Sequence, residues 1–136
     1  MKNFKKSIKL LICAASLGCC GLSFAANWAI SGMSDSAEYG FDKSSIEHDG
    51  DMRKAWIMMD YRKAQQTSIG KTFWSSRALM EMNCIKKEVR TRSLALYSGP
   101  KLSGEMLTSE GVFSQWQVAP PNSPVFNIMR SLCENR

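Results

Sequence analysis

The sequence predicts an α+β domain: a curved antiparallel sheet with a C-terminal helix laid on one face and stapled to it by a disulfide. Three observations carry this. Several short segments alternate apolar and polar residues at a period of two, which marks strands. One capped segment near the C-terminus repeats at a helical period. Once an N-terminal leader is set aside, two cysteines remain, Cys84 and Cys133.

Lys2, Lys5, Lys6 and Lys9 make a basic start, and residues 10–24 are apolar or small and carry no charge. Ser23 and Ala25 place small residues at −3 and −1 of a cut after Ala25. This is the pattern of a secretory signal peptide over residues 1–25. The apolar run is about 15 residues, short of the roughly 20 that a transmembrane helix needs. A lipoprotein would keep Cys19 or Cys20 as its first residue. Cys19 has Ser16 at −3 and Cys20 has Cys19 at −1, so both fit lipid attachment poorly. Membrane association is expected only with such a lipid.

Residues 26–136 then form one small domain. Four of the 18 basic residues are leader lysines, so 14 remain against 12 acidic ones, a net +2. The basic character of the full chain is therefore largely a targeting signal, and nucleic acid is not an expected partner. An even cysteine pair in an exported chain reads as a disulfide.

The elements follow in order. Residues 28–33 alternate Trp28, Ile30 and Gly32 against smaller residues and read as a strand, ended by Ser34-Asp35-Ser36. Residues 39–46 hold a short strand. Asp49-Gly50 is the strongest turn signal. Residues 53–61 are apolar on both faces, with Ala55, Ile57, Met59 and Tyr61 on one, and read as a central strand. Residues 63–71 read as a polar loop. In residues 73–84, Ala78, Met80, Met82 and Cys84 share parity. Helix is the competing reading there, since Ala, Leu, Met and Glu favour it, but the clean parity favours strand. Residues 86–97 read as a long strand whose parity changes after Arg92, which a bulge would explain. Residues 97–100 make a turn, and 104–108 and 115–118 are shorter strands. At the C-terminus Ser123 is a natural N-cap and Pro124 fits the first helical position. Val125, Ile128, Met129, Leu132 and Cys133 form one apolar stripe. Cys133 therefore faces what the helix packs on, and Cys84 lies on the strand face of Met80 and Met82.

No reaction is legible. The single histidine, His48, sits in the Asp-Gly turn and reads as a solvated residue; it cannot build a His-rich metal site, and no metal or cofactor is expected. Cys84 and Cys133 lack the Cys-x-x-Cys spacing of a redox pair. No nucleophile elbow or phosphate-binding glycine loop is present. Asp42, Glu47, Asp60 and Glu81 are the carboxylates that could meet in space for two-carboxylate hydrolysis. The run Lys86, Lys87, Arg90 and Arg92 is a candidate binding patch for acidic partners, interrupted by Glu88; its bland reading is a solvated strand face.

Trp28 through Ser45-Ile46, Trp56 with Asp60-Tyr61, Glu81-x-x-Cys84, Arg90, Tyr97-Ser98-Gly99, Gly104, Trp116 and Cys133 together resemble the bacterial surface-adhesin protein E family. The likeness covers nearly the whole chain after the leader. It implies about six antiparallel strands with the C-terminal helix tied to the concave face by a disulfide. It also implies a Gram-negative envelope or surface location, homodimers and, for the adhesin that names the family, binding of host vitronectin, laminin and plasminogen. The resulting expectation is a non-enzymatic exported domain that binds a protein partner, as an adhesin for host extracellular-matrix proteins does. The alternative is a periplasmic accessory or inhibitor domain bound to another envelope protein.

Overall fold

The structure, a computed structural model, describes residues 26–111 and 114–134. The expected leader, residues 1–25 with Cys13, Cys19 and Cys20, lies outside the described residues. Among these residues eight strands and one α-helix follow in order: β1 (Trp28–Met33), β2 (Ala37–Asp42), β3 (Glu47–Asp49), β4 (Met52–Gln66), β5 (Thr72–Asn83), β6 (Glu88–Tyr97), β7 (Met106–Gly111), β8 (Gln117–Val118) and α1 (Pro124–Glu134). All pairings are antiparallel, and the main sheet order is β1-β2-β4-β5-β6-β7. The short strands fill gaps: β3 lies beside β4 beyond the end of β2, and β8 beside β6 beyond the end of β7. Six strands on the main path match the expected sheet.

Turn chemistry sets the hairpins. Gly50 takes φ +53°, a left-handed value suited to glycine, between β3 and β4. The gap between β2 and β3 is bridged by Ser45, whose hydroxyl accepts the Trp56 amide of β4 at 2.9 Å. Residues 73–84 are strand, as their parity indicated: β5 pairs with β4 from Met52–Asn83 through Asp60–Ser75. Pairing on both sides outweighs the helical propensity of its residues.

The bulge inferred after Arg92 is present. Leu79 pairs with Ser93 but Met80 with Thr91, which leaves Arg92 as the extra residue of β6. The bulge turns Leu94 and Leu96 onto the face that carries Val89 and Thr91. Several boundaries differ from the reading above: the strand expected at 39–46 is Ala37–Asp42, Glu47–Asp49 is a strand where a turn was expected, and the strand expected at 115–118 is Gln117–Val118. Residues 63–66 continue β4, because the β4–β5 hairpin extends past a wide irregularity in which residues 61–64 oppose Trp74 alone. Lys86 and Lys87 belong to the β5–β6 turn, where the Asn83 side chain accepts the Lys86 amide at 2.9 Å. The segment from Gly104 becomes strand only at Met106.

The helix begins as its punctuation required. The Ser123 hydroxyl accepts the Phe126 amide at 3.2 Å, and Pro124 opens the first turn. Ile128, Met129 and Leu132 are buried against Phe41, Ala55, Ile57, Met82 and Val89. Cys133 is joined to Cys84 across this contact, with Cα atoms 5.7 Å apart. The core is thus one layer between α1 and one sheet face.

Candidate functional site

Helix length creates the main surface feature. Eleven residues of α1 span about 16 Å, while the 15 residues of β4 run about 50 Å. The helix therefore covers only part of its face. Beyond it, Met59, Tyr61, Ala78, Met80, Leu94 and Leu96 floor an open apolar groove of about 870 Å³. The tip of the β4–β5 hairpin forms one wall through Gln66, Ile69 and Lys71, and β7 forms the other through Leu107, Thr108 and Glu110. Tyr61 stacks edge-on to Phe73 at 5.6 Å between ring centres and stiffens the hairpin base. Ile69, at the tip, is 78% exposed. Such a site offers apolar area with few polar fixing points, which suits recognition.

The opposite face is charged but internally matched. Register places Glu47, Lys54, Glu81 and Arg90 in one row across β3, β4, β5 and β6. Glu47 meets Lys54 at 2.7 Å, and Arg90 Nε donates to Glu81 at 2.6 Å. Arg92, displaced by the bulge, reaches the other Glu81 oxygen at 3.6 Å. The Arg90 guanidinium also stacks on Trp116 at 4.4 Å, as Arg77 does on Trp56 at 4.3 Å. The four basic residues singled out in the sequence are thus divided. Lys86 and Lys87 sit exposed in a turn, while Arg90 and Arg92 share one carboxylate. They do not form one continuous strand face, because the turn and the bulge interrupt it.

The four carboxylates considered for hydrolysis are each committed elsewhere. Glu47 and Glu81 are held by the cations of the row, and Asp60 accepts the Lys101 amide at 2.7 Å. Asp42 is 8% exposed. It accepts the Ser44 hydroxyl at 2.5 Å, the Ser44 amide at 2.9 Å and the Asn27 amide at 3.0 Å. Among the groove residues one carboxylate appears, Glu110. His48 is exposed on β3, and among the described residues no group of three His, Cys, Asp or Glu could hold a metal ion.

Asp42 yields a pH prediction. Burial pushes its carboxyl up, but the Ser44 and Asn27 hydrogen bonds and the Arg77 charge outweigh burial and leave it below its ordinary value. A carboxyl lowered by folding stabilises the fold above its unfolded pKa. That stability is lost as pH falls through the folded value, below about pH 4. Asp42→Asn should therefore be less stable than the wild type at pH 7 and approach it in acid, as the carboxyl becomes protonated. Melting temperatures across this range check it; parallel curves would refute the assignment.

Sequence reasoning missed Arg53. It is 6% exposed and donates to three backbone carbonyls: Leu132 at the end of α1 (3.3 Å), Gly50 (2.7 Å) and Met52 (2.8 Å). The signal was present, since Arg53 has the parity of Ala55 and Ile57 and so points into the helix-covered face.

The open antiparallel sheet, its partial cover by one C-terminal helix and the staple between them define a class: small, open-sheet domains tied by one disulfide. Solved structures share this fold. The second crystal form of Haemophilus influenzae protein E superposes with a TM-score of 0.61 at 13% identity, over 82% of this chain and 97% of that one. Protein E from non-typeable Haemophilus influenzae gives 0.56 at 13% identity, over 82% and 86%. At these identities the likeness is one of fold. The family described as surface-adhesin protein E matches residues 28–134, and the chain belongs to that family. No curated protein matches it in sequence.

Proposed function

We propose that the chain is a non-enzymatic, exported surface protein of a Gram-negative bacterium, that residues 1–25 are removed on export, and that it binds host extracellular-matrix protein. The observation that supports binding most directly is the apolar groove beside α1, and membership of the surface-adhesin protein E family supports the same reading. No helix among the described residues is long and apolar enough to cross a membrane.

The test uses the purified 26–136 protein over immobilised vitronectin and laminin. Wild type binds both in this reading. Leu96→Glu, which puts a charge on the half-buried groove floor, weakens binding at least tenfold with an unchanged melting temperature. Labelling of intact cells with antibody reports exposure. A protein that binds neither matrix protein and stays unlabelled on expressing cells would overturn the adhesin reading in favour of a periplasmic accessory domain. Sedimentation of the same preparation tests the homodimer.

A further inference from the structure

The two edges of the sheet differ. At one edge, β1 is bent by an irregularity at Ser31, and α1 packs against it; a side chain on Gly32 would lie 3.8 Å from the Pro124 backbone. At the other edge, β7 pairs with β6 over Ser93–Tyr97 and β8 pairs with it at Glu88–Val89. Between them the Ser114 hydroxyl takes the place of a strand neighbour: it accepts the Thr91 amide at 2.6 Å and donates to the Thr91 carbonyl at 3.1 Å. Thus β7, Ser114 and β8 act as one interrupted outer strand. Among the described residues no strand or helix pairs with its outer side.

We infer that β7 is a strand-addition site for an extended segment of a partner protein, with the groove receiving alternate partner side chains. An unpaired strand presents a row of amides and carbonyls that another strand satisfies best. Edges are commonly protected by proline, lysine or a covering element. Residues 106–118 contain no proline and no basic residue. β7 has one irregularity, at Leu107, and runs in regular register from Thr108 to Gly111.

Side chains specify the partner further. Leu107, Thr108 and Glu110 of β7 form the groove wall. A strand laid outside β7 therefore points every second side chain to the groove side, beside an apolar floor. Glu110 is the one charged residue in 106–118. The fitting segment has apolar residues at alternate positions and a lysine or arginine opposite Glu110. This deepens the proposed function, since it states how the protein partner is held.

The probe is an acetylated peptide, Thr-Val-Thr-Val-Lys-Val-Thr, with a glutamate-for-lysine peptide as control. Hydrogen exchange of the 26–136 protein with the probe should slow at least fivefold in residues 106–111 and remain unchanged in β1. The control peptide should bind at least fivefold more weakly. Thr108→Pro and Ser109→Pro provide the second readout. Successive amides of a strand point alternately inward and outward, so one of these prolines removes a bond to β6 and the other only an outward donor. The variant that keeps the wild-type melting temperature should lose probe binding at least tenfold. Equal probe binding by that variant, or exchange unchanged at 106–111, overturns the inference. If wild type binds matrix protein and the stable proline variant binds it equally, strand addition fails while the adhesin reading stands. If the probe protects β7 but no matrix protein binds and expressing cells stay unlabelled, the adhesin reading fails and strand addition stands.

Discussion

Replacing Cys84 and Cys133 together by alanine should lower stability by about 4 kcal/mol. The two cysteines are 49 residues apart. In the chain-entropy description, closing a loop of that length removes about this much freedom from the unfolded chain. Domains of this size are stable by only about 5–15 kcal/mol, so a large share of the margin is at stake. The melting temperature should fall by roughly 15 °C. Thermal unfolding of the oxidised wild type and the double variant, both free of reductant, measures it. A shift under about 3 °C would mean that packing alone holds α1 to the sheet. The same loss predicts poorer folding wherever the thiols stay reduced.

Arg53→Met should cost about 3 kcal/mol, although methionine fills much of the same space. Replacing a buried ion pair by apolar residues is often harmless, because both partners leave together. Here the partners are the carbonyls of Gly50, Met52 and Leu132, and they remain. Leu132 supplies one of the last carbonyls of α1, the negative end of the helix, where a cation adds up to about 2 kcal/mol in partly buried geometry. Losing the donors leaves buried acceptors unmet at about 1–3 kcal/mol. Arg53→Lys keeps the charge but cannot reproduce the guanidinium fork, so it should recover only part of the loss. Urea unfolding separates these outcomes: the Met variant should shift the midpoint by at least about 1 M. A Met variant within 0.5 kcal/mol of wild type would show that the carbonyls find water instead. Arg53 and Cys133 hold the same end of α1, so the two losses should be less than additive.

Parity made much of this architecture legible. The row Ala78, Met80, Met82 and Cys84 predicted both a strand and the side on which the staple lies, and the structure has both. The weakened parity after Arg92 predicted the bulge. Ser123-Pro124 marked the helix start to the residue. These features are local: a strand alternates and a helix repeats whatever its neighbours are.

The extension of β4 to Gln66 was not legible, because residues 63–66 are mostly exposed and polar on an arm that pairs with β5. Read alone, such a stretch has the composition of a loop. The basic run was visible, but its state was not. Whether Arg90 is a free cation or half of an ion pair depends on Glu81 standing opposite it, and register decides that.

By itself, then, the sequence determined the type of the long central strands and of the capped helix, the face those strands give to the core, and the cysteine pair. All of these follow from short-range periodicity, turn chemistry and composition. Only the tertiary structure decided that Arg53 holds the end of α1, that Glu81 pairs with Arg90 and Arg92 while Lys86 and Lys87 stay in a turn, and that an apolar groove stays open beside the helix. Those outcomes depend on which residues lie opposite one another across strands, and on an 11-residue helix meeting a sheet longer than itself. Distances of that kind are set by bulges, register and packing, which no local pattern records.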